Sequence, residues 1–298
     1  MMELKKIKVG IVGIIGRPNV GKSTLLNQIL KTKISIVTPK PQTTRVPILG
    51  ILNGEDYQIA FMDTPGMLEK TKYELHKEMI KSIEVIIKDA DLILFMVPPH
   101  DPGEIENIII EKLKKYSKKA ILLINKIDLI KKEEILPIIE VYSKKYDFLE
   151  YIPISASEGD GLDRIVPAIL KNLKEGAPLY PEDIISDKTE RFFVAEIIRE
   201  KIFLYYGEEL PYASAVEIEE FTEKENVIYI RAIIYVEKES QRKMIIGHKG
   251  NKIKNLGIAA RKDIEGFLSK RVYLDLWVKV KEGWRKDKGF LRGIGYVS

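Results

Sequence analysis

The sequence predicts an α/β domain built on a doubly wound, mostly parallel sheet, followed by a smaller α+β domain. Apolar runs of strand length recur through the first half and alternate with amphipathic stretches of helix length. A segment of linker composition falls near residue 180. Beyond it both the order of elements and the charge change.

The first-half strands are IKVGIVGII (7–15), a strand near 46–52, YQIAFMD (57–63), DLILFMV (91–97), KAILLIN (119–125) and YIPIS (151–155). Their apolarity is continuous rather than alternating, which marks strands covered on both faces. Between them lie helices over 22–32, 73–90, 105–117 and 132–146, and a last helix over 161–176 stopped by Gly176 and Pro178. Residues 177–190, APLYPEDIISDKTE, combine two prolines with acidic and polar residues. That composition places a first domain over 1–178, a linker over 179–190 and a second domain over 191–298. In the second domain a helix (191–206) precedes two alternating strands (214–221 and 226–237). A short helix then leads into a glycine loop, followed by a longer helix (about 251–268) and a last strand (271–280).

A chain of 298 residues, 45% hydrophobic and 31% charged, fits two globular domains with real cores. The absence of cysteine excludes disulfides and thiolate metal sites and fits a reducing cytoplasm. The opening MMELKKIKVGIVGIIG has the basic start and apolar run of a signal peptide. No small-residue cleavage site follows, and the run leads straight into a glycine loop, so it reads as a buried strand. No stretch approaches the roughly 18 apolar residues that a membrane span needs. Net charge is +5, but residues 240–298 hold 15 Lys/Arg against 5 Asp/Glu, while 181–239 hold 7 against 15. A basic tail behind an acidic segment suggests a positive surface focused on a polyanion.

Gly16-Arg17-Pro18-Asn19-Val20-Gly21-Lys22-Ser23 has the spacing G-x-x-x-x-G-K-S between a predicted strand and helix, with Thr24 following. Glycines let successive N–H groups point inward and the helix N-terminus adds partial positive charge. Lys22 reaches outer phosphates and the Ser23 hydroxyl is a Mg²⁺ ligand. Asp63-Thr64-Pro65-Gly66 ends another strand, where the aspartate can meet the Mg²⁺ shell and the Gly66 N–H a γ-phosphate. Asn125-Lys126-Ile127-Asp128 ends a third; Asp128 can accept N1–H and the 2-amino group of guanine, with the Lys126 stem along the base. At the last strand, Ser155-Ala156 offers a backbone N–H to the guanine O6.

Four such signals at strand ends, in this order, closely resemble the Ras-like P-loop GTPases. The resemblance implies GTP/GDP and Mg²⁺ as cofactors, and a first switch loop in TPKPQTTRVP (38–47) whose threonine ligates Mg²⁺. Thr43 and Thr44 both qualify, and Thr44 is favoured because family members keep a threonine directly before the arginine. After DTPG the chain departs from Ras-type enzymes, placing Met67-Leu68-Glu69 where they carry a water-orienting glutamine. Catalysis therefore falls to Lys22, Thr44, Gly66 and Asn19, the last by resemblance to GTPases that use an asparagine here to hold K⁺. With no general base in view, the domain reads as a slow switch.

The second glycine loop, MIIGHKGNKIK (244–254), lacks the lysine–hydroxyl ending of the first. It lies between two predicted helices in the basic segment, after two strands and before a third, as in type II KH modules, where a GXXG loop clamps nucleotide backbone. Ile246, Gly247, His248, Lys249, Gly250, Lys252 and Lys254 are the candidate RNA-binding residues. Ile245 and Ile253 are further groove-wall candidates, and Trp284, Phe290 and Tyr296 of the tail are placed either for base stacking or for packing.

A Ras-like domain followed by a KH domain, with GRPNVGKS, PKPQTTR, DTPGM, NKID, ISAS, YPEDIISDKTERF and IIGHKG, resembles the Era family of GTPases over essentially the whole chain. The resemblance implies a monomeric cytoplasmic GTPase that binds the 3′ end of small-subunit ribosomal RNA and assists assembly of the small ribosomal subunit. It also implies peripheral association with the inner face of the plasma membrane. Two alternatives stay open on the residues alone: a metabolic P-loop phosphotransferase, and a membrane-surface regulator whose basic domain reads anionic lipid.

Overall fold

A computed structural model describes residues 6–68, 73–207 and 209–296, so Glu69 lies outside the described residues. The chain divides into two compact units.

In the first unit, β1 (Ile7–Gly16), α1 (Lys22–Leu30), β2 (Ile48–Gly54), β3 (Tyr57–Asp63), α2 (Glu74–Asp89), β4 (Leu92–Val97), α3 (Glu104–Lys115), β5 (Ala120–Ile124), α4 (Ile135–Ser143), β6 (Tyr151–Pro153), α5 (Ile165–Leu170) and β7 (Lys174–Gly176) follow in order. The sheet runs β2-β3-β1-β4-β5-β6. Only the β2–β3 pair on this path is antiparallel, so β1, β3, β4, β5 and β6 end on one edge. The apolar runs are what such a sheet requires. Every side chain of β4 and β5 is buried, and one core packs Phe95, Leu122 and Ile124 against Ile83, Ile109 and Tyr142 from the helices.

The helix expected over 161–176 is shorter. A 3₁₀ turn (162–164) leads into α5, which ends at Leu170, and 174–176 form β7, antiparallel to Ile7–Val9 of β1. The reason is register: β4 pairs with β1 only from Val12 onward, which leaves Ile7–Val9 unpaired on that side until β7 fills it. Leu173 then seats on the bare backbone of Gly10, where a Cβ would lie 2.6 Å from its Cδ2. The segment read as linker is also held down over most of its length. Gln58 Oε1 accepts the N–H groups of Leu179 and Tyr180, Ile185 O accepts the N–H of Ile51, and Ser186 Oγ donates to Leu49 O.

The second unit holds α6 (Glu190–Tyr205), β8 (Ala215–Glu223), β9 (Ile228–Val236), α7 (Glu239–Ile246), α8 (Asn251–Leu268), β10 (Val272–Val280) and the short α9 (Lys288–Gly293). The sheet order is β10-β9-β8, with β9 parallel to β10 and antiparallel to β8. Alternate residues of β9, Ile228, Ile230, Ala232, Ile234 and Val236, enter a core with Ile198 and Ile202 of α6 and with Leu256, Ala260 and Ile264 of α8, while Ile233 is buried on the other face. Residues 36–43 and 73–75 group with this unit, where Lys40 Nζ donates to the carbonyls of Phe203 and Tyr206 at the end of α6.

The two readings of the tail resolve toward packing. Trp284 is fully buried, its Nε1–H donating to Ala213 O at 2.9 Å, with Phe290 and Tyr296 edge-on or tilted around it. Trp284→Ala is expected to cost about 3–5 kcal/mol of stability. Denaturant unfolding checks this; a loss under about 1 kcal/mol would place the ring outside the core.

Candidate functional site

The first glycine loop turns from β1 into α1 through two left-handed residues, Asn19 (φ 60°) and Gly21 (φ 107°). Asparagine tolerates that region better than most side chains, and glycine enters it without strain. A Cβ on Gly21 would also lie 2.3 Å from Asn125 Nδ2. Lys22 is buried, its ammonium donating to the carbonyls of Gly16 (3.2 Å) and Arg17 (3.0 Å). Burial lowers its pKa to about 8 against the opposing pull of Asp63. A cation held in that state gains from any anion delivered to the loop.

Three oxygens converge beside it. Ser23 Oγ donates to Asp63 Oδ2 at 2.7 Å and lies 3.0 Å from Thr44 Oγ1. Asp63 is fully buried, and burial pushes its carboxyl up while Lys22, Ser23 and Ser35 pull it down. Its second oxygen, Oδ1, has no hydrogen-bond partner among the described residues. An orphaned buried carboxylate oxygen beside two hydroxyls is the hard-oxygen donor set that Mg²⁺ takes, so these residues fit that ion. Thr43 is turned elsewhere: it donates to Lys40 O and pairs with Thr38 Oγ1, both at 2.7 Å. Of the two threonines, the structure brings Thr44 to Ser23.

Gly66 lies against the glycine loop so closely that a Cβ would sit 2.6 Å from the N and Cα of Pro18. The Met67 N–H donates to Gly16 O at 3.2 Å, and its side chain is buried in the helix-side core. The position of the water-orienting glutamine is thus occupied by a core residue.

At the far end of the edge, Asn125 works as a brace. Its Nδ2 donates to Val20 O at 2.6 Å and its Oδ1 accepts the Ala156 N–H at 2.9 Å, tying the glycine loop to the turn after β6. Lys126 adopts φ 64°, which turns the chain so that Asp128 follows exposed, its Oδ1 accepting from Ser155 Oγ at 2.6 Å. Gly16, Val20, Lys22, Ser23, Asp63, Gly66, Asn125, Lys126, Asp128, Ser155 and Ala156 thus all fall along one edge of the sheet. Ser35 escaped the sequence reading. It is buried, donates to Asp63 Oδ2 at 2.8 Å, and is positioned by Asn27, which bonds both its N–H and its carbonyl. A lone serine in a loop gives no pattern to find.

The second loop joins α7 to α8. Gly247 (φ 72°), Lys249 (φ 49°) and Gly250 (φ 76°) are left-handed, and a Cβ on Gly247 would meet Lys252 Cγ at 2.6 Å. His248, Lys249, Lys252 and Lys254 are exposed, Ile246 and Ile253 half-buried, and Ile245 is fully buried in the core, which removes it as a groove wall. Met244 and Ile258, each about half exposed on the flanking helices, are apolar surface that the sequence reading did not single out.

A family model described as a 50S ribosome-binding GTPase matches residues 11–126, and a KH-domain model matches residues 209–285. The chain is 45% identical to the GTPase Era of Haemophilus ducreyi, over 99% of this chain and 98% of that protein. It is 46% identical to the GTPase Era of Syntrophus aciditrophicus, over 97% and 95%. The chain belongs to the Era family of GTPases. Two solved Era structures superpose on it with a TM-score of 0.95 at 42% identity, each covering 98% of this chain and 100% of theirs. One is Era with MgGDPNP and nucleotides 1506–1542 of 16S ribosomal RNA; the other is an Aquifex aeolicus Era variant bound to GDP and AlF₄⁻.

Proposed function

We propose that the chain is a GTP-binding and GTP-hydrolysing switch that binds the 3′ end of small-subunit ribosomal RNA and assists maturation of the small ribosomal subunit. The observation that carries it is the meeting of Ser23 and Thr44 with Asp63, whose other carboxylate oxygen has no partner among the described residues, in a chain similar along its length to an Era solved with Mg²⁺, a GTP analogue and 16S rRNA.

The loop N–H groups from Asn19 to Thr24 and the N-terminus of α1 receive the phosphates, and Lys22 exchanges loop carbonyls for the β- and γ-phosphates. Ser23, Thr44 and Asp63 hold Mg²⁺, which when bound neutralises charge on the β- and γ-oxygens. Gly66 packs on Pro18 of the glycine loop, where its N–H would meet the γ-phosphate, and loss of that phosphate would release Gly66 and Thr44 together. Asp128 reads guanine, and the Ala156 N–H exchanges Asn125 Oδ1 for the guanine O6, while Asn125 keeps its hold on Val20 O. Buried Met67 leaves water positioning to backbone and charge. The 247–250 loop brings main chain to the RNA backbone, with Lys249, Lys252 and Lys254 on phosphates and Ile246 beside the bases.

The test is affinity for a single-stranded ribosomal 3′-end RNA and for anionic vesicles, each with GTP and with GDP. RNA binding that rises with GTP and falls steeply with salt is expected. Vesicle binding that alone responds to nucleotide would replace RNA by lipid as the partner.

By resemblance to GTPases that use an asparagine at this position, Asn19 holds K⁺ at the phosphates. K⁺ should then speed GTP hydrolysis over Na⁺, and Asn19→Ala should lose that difference while keeping the Na⁺ rate. Equal rates of the native chain in both salts would reduce Asn19 to shaping the loop.

A further inference from the structure

The sheet of the second unit buries one face under its helices; the other is covered where Phe290 of α9 packs on Tyr235 and Ile233 is buried, and is open beyond that. Register sets Tyr229 beside Tyr273, Arg231 beside Asp275, and Ile233 beside Trp277 on the outward side of β9 and β10. Tyr229 and Tyr273 stack with centroids 5.5 Å apart and planes 11° apart. Tyr273 is 61% exposed and Trp277 55%, an expanse of aromatic surface that the fold itself does not use.

These groups are held in place. A single oxygen, Asp275 Oδ2, accepts from Tyr229 Oη (3.2 Å), Arg231 Nε (3.0 Å) and Trp277 Nε1 (3.0 Å). Tyr229 and Trp277 therefore have their polar tips tied, and Tyr273 lies flat on Tyr229, so a partner meeting this face pays little side-chain entropy.

Charge selects the partner. The neighbouring β8 turns Glu217, Glu219 and Glu220 to the same side, the bulge after Ile218 bringing both Glu219 and Glu220 within 4 Å of Arg231. With Asp275, four carboxylates of the three strands stand on this face among the described residues, against two strand cations, Arg231 and Lys279. The glycine-loop side of the same unit carries exposed Lys249, Lys252, Lys254, Arg261 and Lys262. A polyanion is drawn to that side and repelled from this one. Aromatic rings beside unbalanced carboxylates suit arginine or lysine, whose cations lie over the rings and pair with the carboxylates.

We propose that the outer face of the β8–β9–β10 sheet docks a basic protein segment, with arginine or lysine side chains seated over Tyr273 and Trp277 and paired to the carboxylates of β8. The chain has two tryptophans, and Trp284 is sealed in the core, so Trp277 reports on the face directly.

The full-length protein is titrated with octa-arginine peptide and, separately, with deca-uridine. The peptide should change Trp277 emission saturably. Tyr273→Ala should weaken it several-fold, and Glu217→Gln with Glu220→Gln about tenfold, both variants unfolding at the native temperature. Deca-uridine should leave that emission unmoved. Peptide binding indifferent to these variants, or a response to RNA instead, overturns the proposal. A second arm places p-benzoylphenylalanine at position 277 in purified small ribosomal subunits, and it alone rests on the function proposed above. Crosslinking to a lysine- or arginine-rich protein segment is expected, and crosslinking to rRNA overturns the basic-protein assignment. Failure to associate with subunits at all would count against the proposed function, with the peptide arm still deciding the docking face.

Discussion

Asp128→Asn should lower affinity for GTP and GDP by about three orders of magnitude while raising affinity for xanthosine nucleotides. The carboxylate is exposed at the sheet edge, and the Ser155 hydroxyl, 2.6 Å from Oδ1, orients it. In that pose it accepts two N–H groups from guanine in charge-assisted bonds, each about 1.5–3 kcal/mol. An asparagine loses the charge and turns an N–H donor toward the base, which faces guanine with donor against donor and suits the O2 carbonyl of xanthine. Asn125 still holds Val20 O, so the pocket keeps its shape and the loss stays confined to base recognition. Titration calorimetry with GDP and XDP decides it. A variant that binds GDP as tightly as the native chain removes Asp128 from the guanine contact.

His248→Asp with Lys249→Asp should abolish RNA binding at physiological salt, a loss of more than about 100-fold, and leave GTP hydrolysis in the absence of RNA unchanged. Both side chains are exposed, so no core contact is lost. Lys249 sits at φ 49°, a conformation that aspartate tolerates better than most residues, so the loop keeps its path. What changes is charge at the point where the main chain meets phosphate. A lysine cation is lost and two carboxylates appear, and removing one lysine–phosphate contact should lower the log–log salt slope by about 0.7. Fluorescence anisotropy across a salt series measures both effects. Native affinity in the double variant would move the clamp away from 247–250.

Much of the nucleotide site is legible because its chemistry is local. A strand that must be covered on both faces reads as an apolar run, and a phosphate loop needs glycines, lysine and hydroxyl within eight residues, as in Gly16–Ser23. The second glycine loop reads less directly, since GHKG takes its meaning from the elements around it. Contacts between distant segments were not legible. Ser35 reaches Asp63 across 28 residues, and nothing in its neighbours announces it. Asn125 reads as part of a base-recognition motif, and nothing in that motif announces that its side chain also braces Val20, 105 residues away. The helix read over 161–176 failed at its end because the open side of Ile7–Val9 claimed 174–176 as a strand, a demand set by distant β1.

The sequence by itself determined that there are two units, most of the order of elements in each, and the residue types at both glycine loops. Each of these depends on spacing along the chain and on which residues can bury or turn. Only the tertiary structure decided which of Thr43 and Thr44 meets Ser23, that residues 36–43 group with the second unit, that Trp284 is core, and that Tyr273 and Trp277 share an open face with the carboxylates of β8. Those choices depend on register between strands and on which buried polar atoms remain to be satisfied, and both arise only when separated segments pack together.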